Sequence, residues 1–381
     1  MKIAIFLLNS GRGSGELARM QARFLIEAGH EVWFSHPYVG EGVAGATNVD
    51  VLLETEIIPV HEYLPAANKN QKAVSTMQYE EAMAYLPAYE KAMESYIEEV
   101  DIVLTHHANL SAVVTHNVCQ KHNKPFVIYT HGTGIEPRHH GGYNDQVWQK
   151  IEAALIAANG LLVTTEYVRD ELVMNIVDVP KGKFAVVPCG VDLVDFRPDN
   201  VKGISEKYNL PAQYVICPGA LLKVKGPQNV VEASKVYCHL AETIFIGGGD
   251  MQDELQAALG DRGRVLGFVS SDDKAKLINA ATVLTAAPEK KEHFGIIYAE
   301  ALAGGTPSVA YEGGGVPAVI SPDTGILVER SPEKLGQGIL QLLENPDKRR
   351  VMGLEARLRA ERLFSYPQLI TELVNWLRGH I

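Results

Sequence analysis

The chain predicts an α/β protein of two doubly wound, Rossmann-like domains in tandem. Three observations predict it. Short apolar runs alternate with helix-spaced segments along the sequence; the alternation breaks at a polar stretch near 192–200 and restarts; and glycines cluster directly after several apolar runs. At 381 residues the chain also exceeds what one ordinary core absorbs.

The first run, Ile3–Leu8, is continuously apolar, as a parallel strand buried on both faces requires. Gly11–Gly15 follows as a loop. Glu16–Ala28 then shows helical spacing through Leu17, Met20, Phe24 and Leu25, stops at Gly29, and leads into a strand at Glu31–Ser35. The Tyr-, Met- and Glu-rich segment Val74–Val100 reads as one or two helices. Further strands are expected at Ile102–Thr105, Phe126–Tyr129, Leu161–Thr164 and Phe184–Val187. Arg197-Pro198-Asp199-Asn200 interrupts the pattern. Beyond it come strands at Tyr214–Pro218, Glu242–Ile246, Val265–Phe268, Val283–Ala286, Ser308–Tyr311 and Gly325–Val328, with a helix from about Pro227. The tail from about Pro332 is helical, with Phe364, Tyr366, Leu369, Leu373 and Trp376 as packing residues.

Composition excludes several classes. The net charge is −11; residues 1–200 carry 15 Lys and Arg against 25 Asp and Glu, the remainder 20 against 21. An acidic first half argues against nonspecific nucleic-acid binding, which needs clustered cations, and against docking on anionic lipid. No run approaches the ~20 apolar residues of a spanning helix, and the apolar start reads as a strand, not a signal peptide. Four scattered cysteines without a C-x-x-C pair indicate neither a disulfide framework nor a zinc site, so a reduced, cytoplasmic setting is expected.

Three loops could carry chemistry. Gly11-Arg-Gly-Ser-Gly15 stands between strand and helix, where backbone N–H groups meet a phosphate; its spacing is not the G-x-G-x-x-G dinucleotide fingerprint. A tight turn without ligand is the competing reading. Pro218–Gly226 places Lys223 and Lys225 before a probable helix start, where lysines can clamp a diphosphate; a solvated basic turn is equally compatible. Between Ala287 and Val328, Glu292 precedes Phe294-Gly295 and Glu300 falls in the helix that follows, roughly 8–12 Å further on at ~1.5 Å per residue. Carboxylates suit sugar and ribose because they accept hydroxyl hydrogen bonds in fixed geometry. Histidines 106, 107, 131, 139 and 140 cluster near predicted strand ends, but no spacing frames a metal site. Arg138 with His139-His140 reads either as an acceptor-facing group or as surface loop.

In their order along the chain, these pieces resemble the retaining glycosyltransferases of family 4, of GT-B fold. The matching segments are the glycine loop, Glu27–Val32, Tyr129-Thr-His-Gly132, Gly190-Val-Asp192 with Phe196 and Pro198, Lys225-Gly226, Glu292 to Glu300, and Gly304-Gly-Thr-Pro307. The resemblance implies an acceptor-binding domain over 1–195, a donor-binding domain over 196–360 facing it across a cleft, and a terminal helix, 361–381, returning to the first. It implies that Glu292 holds hydroxyls of the transferred sugar and Glu300 the ribose. Phe294 and Gly295 would lie against sugar and diphosphate by their backbone, beside Gly219. Lys225, with Lys223, would neutralise the diphosphate, Gly15 would close over it, and His131 would sit beside the reacting sugar. Arg138 and His107 are acceptor-side candidates. No metal or cofactor is implied; the partners are a UDP- or GDP-sugar donor and a small or glycan acceptor. Three departures stand out: Ala220 where the family commonly has Arg, Cys189 where Asn is frequent, and Ala318 where Glu is common. A sugar-nucleotide epimerase of the same architecture and a catalytically silent sugar-nucleotide sensor are the competing readings.

Overall fold

The computed structural model describes residues 1–9, 12–37, 42–61 and 70–381. The chain forms two compact units: Met1–Pro188 together with Tyr366–Ile381, and Cys189–Ser365.

The first unit is built on a seven-stranded parallel sheet. Its strands are β1 (Lys2–Phe6), β2 (Glu31–His36), β3 (Thr47–Asp50), β6 (Ile102–His106), β7 (Phe126–Thr130), β8 (Gly160–Val163) and β9 (Phe184–Val186), in the order β3-β2-β1-β6-β7-β8-β9. A separate parallel pair joins β4 (Ile58–Val60) to β5 (Gln71–Ala73). The central strands are apolar throughout because helices cover both faces, and every residue of β6, β7 and β8 is buried. Strand order reverses between β1 and β6, the position where doubly wound sheets open a crevice.

Several expectations shift. The first helix runs Arg12–Glu27, so Gly13 and Gly15 lie in its opening turn and not in a loop; Gly11 lies outside the described residues. The Val74–Val100 segment breaks into helices Tyr79–Met83 and Leu86–Glu94 between two short 3-10 turns, with Pro87 at the start of the second. Strands β3, β4 and β5 were not legible: β3 is mostly exposed, and β4 and β5 are three residues each, too short for a period to register.

The last helix, Tyr366–Arg378, packs within the first unit. Tyr366 stacks on Phe24 of the first helix at 4.8 Å between centroids and 11° between planes, and Leu369, Ile370, Leu373, Val374 and Leu377 are buried. A side chain at Gly160 would strike the Trp376 ring, so this strand start admits the indole only because it is glycine.

The second unit carries a six-stranded parallel sheet of β10 (Tyr214–Pro218), β11 (Glu242–Ile246), β12 (Gly263–Val265), β13 (Val283–Ala286), β14 (Ser308–Tyr311) and β15 (Gly325–Val328), ordered β12-β11-β10-β13-β14-β15. Five of the six strands match the sequence expectation to the residue. The exception is β12, which ends at Val265. The chain then turns at Gly267 (φ 72), whose carbonyl accepts from Gly247 N, and Phe268 is left 87% exposed. The reversal of strand order falls between β10 and β13.

Candidate functional site

In the second unit a pocket opens at the carboxyl ends of β10 and β13, the topological switch point. After β10, Gly219 N donates to Ile246 O at 2.9 Å, and Lys223–Lys225 forms one 3-10 turn ending at Gly226 (φ 65). A Cβ at Gly226 would lie 1.8 Å from Ala287 O. Only glycine therefore permits both this backbone and the close approach to the loop after β13. Four further bonds join this turn and the helix that follows it to the loop after β13: Glu289 N to Val224 O (3.0 Å), Asn229 Nδ2 to Ala287 O (3.1 Å) and to Glu289 Oε1 (3.0 Å), and Gln228 Nε2 to Glu289 Oε1 (2.7 Å).

The consequence is a pair. Lys225 Nζ stands 3.3 Å from Glu292 Oε1 at the pocket wall, with Gly219, Ala220 and Gly295 beside them. Glu292 is braced from behind: Gly315 N donates to its carbonyl at 2.7 Å, and a Cβ at Gly315 would come within 1.9 Å of His293 O. Gly295 (φ 83) opens the helix Ile296–Ala303, whose first residues, Ile296 and Ile297, line the same pocket. N–H groups in the first turn of a helix have no intrahelical acceptor, so this wall suits an anion or a hydroxyl oxygen.

The other expected residues take different positions. Glu300 is buried and does not line this pocket. Its Oε1 accepts from Lys274 Nζ at 2.6 Å, while Oε2 has no hydrogen-bond partner among the described residues. Of the two carboxylates, Glu292 alone lines this pocket. Phe294 is a core ring, edge-on to Phe364 at 5.6 Å, so only its backbone is available to a ligand. Lys223 is exposed and is not part of the pocket wall, and Ala220 leaves Lys225 as the wall's cation among the described residues. Lys274 went unnoticed in the sequence because no local spacing connects 274 with 300; the pairing is tertiary.

In the first unit, the carboxyl ends of β4, β6 and β7 gather four imidazoles. His106 closes β6 and His131 follows β7; His106 Nδ1 and His131 Nε2 lie 2.9 Å apart with rings 18° from parallel. His107, held at φ 71, stacks on His61 at 3.8 Å and stands 4.6 Å from His131. Ser14, in the opening turn of the first helix beside the buried Gly15, lies 3.3 Å from His61 Nε2. Tyr129 packs on His131 at 4.4 Å and donates its hydroxyl to Val187 O. Burial pushes the His106 imidazole from its ordinary 6.5 down to about 3, and burial with three neighbouring imidazoles holds His107 well below its ordinary value too. No group of three or more ligating side chains suited to a metal occurs among the described residues. Arg138 is engaged elsewhere, paired with Asp145 at 2.8 Å and lying over Trp148, and His139 Nε2 bonds Leu172 O. Sequence reading missed His61 and Ser14, because β4 carries no pattern that would place His61 against β6.

Comparison with known proteins assigns the family. The model for "Glycosyltransferase Family 4" matches residues 11–195, and that for "Glycosyl transferases group 1" matches residues 202–359. The chain belongs to the group 1, family 4 glycosyltransferases. A relative of this family 4 chain is the GDP-mannose-dependent monoacylated alpha-(1-6)-phosphatidylinositol monomannoside mannosyltransferase of Corynebacterium glutamicum, 28% identical over 51% of the chain and 56% of the relative. D-inositol 3-phosphate glycosyltransferase 1 of Catenulispora acidiphila is 30% identical over 65% of each. The matched stretches thus span less than two thirds of these two curated relatives. Among solved structures, sucrose-phosphate synthase from Thermosynechococcus elongatus superposes over 99% of this chain and 98% of its own, with a TM-score of 0.80 at 20% identity. That likeness establishes the GT-B fold.

Proposed function

We propose that the chain is a retaining, metal-independent hexosyltransferase that moves a sugar from a UDP- or GDP-sugar to an acceptor hydroxyl. The observation that carries this is the Lys225–Glu292 pair at the switch-point pocket: one cation and one carboxylate on adjoining walls, beside the start of a helix. Lys225 would stabilise the departing nucleoside diphosphate, Glu292 would hold sugar hydroxyls, and the N–H groups at Gly295–Ile297 would meet phosphate oxygens. Glu300 Oε2, a buried acceptor without a donor, is the group we assign to a ribose hydroxyl. From the first unit we assign His131 to a hydroxyl of the reacting sugar, and Gly15 to the turn that approaches the diphosphate. Catalysis would then rest on positioning and on leaving-group stabilisation, with the departing phosphate taking the acceptor proton in a front-face displacement.

The GDP-mannose dependence of the Corynebacterium relative supports GDP-mannose as the first donor to try. The phosphoinositide and inositol phosphate in the relatives' names support a phosphorylated or polyol acceptor. No helix among the described residues is long and apolar enough to cross a membrane, and we place the reaction in the cytoplasm. One second reading has an observation behind it: with Ala220 in the wall and Lys223 outside it, the pocket offers a single cation among the described residues, as a silent sugar-nucleotide sensor would tolerate.

The test is transfer with each nucleotide sugar against an acceptor panel, run with Glu292→Ala and Lys225→Ala. Transfer should fall more than about tenfold for Glu292→Ala, a loss of at least ~1.4 kcal/mol at the transition state. Lys225→Ala should weaken nucleoside-diphosphate binding. Tight nucleotide binding by the unaltered chain with no hydrolysis or transfer would select the sensor instead.

A further inference from the structure

We propose that His106 is a positioning residue for His131, holding that imidazole in the tautomer that carries its proton on Nδ1. The inference rests on the assignment of His131 to the reacting sugar. Its observations are separate: the 2.9 Å contact from His106 Nδ1 to His131 Nε2, the complete burial of His106, and the absence of any hydrogen-bond partner for His106 Nε2 among the described residues.

A bond between two neutral imidazoles needs one N–H and one lone pair. If His106 donates from Nδ1, its buried Nε2 is a bare lone pair. If it accepts at Nδ1, a buried Nε2–H is left without an acceptor, and orphaned buried N–H groups are rare in folded proteins. The first arrangement is therefore assigned. His131 Nε2 is then the acceptor, and the neutral His131 ring must carry its proton on Nδ1, since the bond made by one ring nitrogen sets the state of the other. Protonating His131 would turn its Nε2 into a donor and force His106 into the arrangement just rejected. The neighbouring His107 and His61 rings add a further obstacle to charge at this point.

The backbone holds His106 firmly for this task. Its residue pairs with Tyr129 across β6 and β7, and its carbonyl accepts from Ser111 Oγ at 2.6 Å, in the first turn of a helix capped by Asn109. His131 is thereby a neutral donor of fixed direction and not a base. That division of labour fits a displacement in which the departing phosphate removes the acceptor proton.

The experiment is two-bond ¹H–¹⁵N correlation on the full chain, with His131 assigned by its own substitution, alongside kinetics of His106→Leu and His106→Asn. The unaltered chain should show neutral His131 with Nδ1–H at neutral pH. H106L should lose that preference and lower kcat about 10–100-fold with KM changed less than about threefold, whereas H106N, which returns an N–H near the same place, should recover kcat to within about threefold. A charged or Nε2–H His131 in the unaltered chain, or an H106L protein with unchanged tautomer and kcat, overturns the proposal. The tautomer measurement on the unaltered chain needs no turnover, so it decides the positioning even if no transfer is found; absence of transfer falls on the functional reading alone.

Discussion

Lys225 and Glu292 are both partly open to water, and exposed ion pairs contribute only about 0–1 kcal/mol. Their 3.3 Å approach therefore adds little to the stability of the fold. The buried histidines are the opposite case, because their burial is coupled to stability. Above pH 6.5 His106 is neutral folded or unfolded; below it the unfolded chain takes up a proton that the folded chain refuses until about pH 3. Stability is thus complete above 6.5 and lost as pH falls toward 3, and His107 acts in the same direction. We expect the unfolding free energy of the first unit, read from denaturant titrations, to fall from about pH 6.5 to about pH 4, with a slope approaching ~1.4 kcal/mol per pH unit for each such histidine. Circular dichroism across that range checks this, and His106→Asn should flatten the curve. At this scale His131 was singled out by the resemblance to family 4, and Glu292 and Lys225 could be noted as candidates from residue type and neighbours. Lys274, His61 and Ser14 could not, since each meets its partner only through the sheet.

Among elements, the turn at Lys223–Gly226 is the piece on which the pocket depends. Gly226 adopts a left-handed conformation and touches Ala287 O, so Gly226→Ala incurs both backbone strain and a clash with main chain, about 1–3 kcal/mol together. The turn would move off the β13 loop and carry Lys225 away from Glu292. A lower melting temperature of the second unit together with several-fold weaker nucleoside-diphosphate affinity is the expected result, read by thermal shift and calorimetry. Strands of the second sheet were legible almost to the residue because five are short runs rich in apolar residues, closed by glycine, proline or polar turns. The opening turn of the first helix was not, because Gly13 and Gly15 argue locally for a loop and only packing of Leu17, Ala18 and Leu25 against the sheet draws the helix forward. The same limit hid β3 to β5, whose short or exposed strands show no period.

For the whole molecule, the division into two units with separate cores predicts separable unfolding. Removing Tyr366–Ile381 takes six buried side chains and the Phe24–Tyr366 stack from the first unit, each buried side chain contributing about 1.5–3 kcal/mol. That is comparable with the 5–15 kcal/mol a domain typically holds. The truncated chain should lose the cooperative melt of the first unit while the second still responds to a nucleoside diphosphate by thermal shift.

What the sequence determined by itself is the fold class, the order of its strands along the chain, the family, and the loops on which a donor site could form. All of these are local: period, apolar runs, glycine turns and their succession. Which groups meet was decided by tertiary structure. The parallel sheets bring Lys225 to Glu292 and His106 to His131 across 67 and 25 residues of chain. They also bring Glu300 to Lys274, because a side chain's partners follow from strand order and helix packing, which no local spacing encodes.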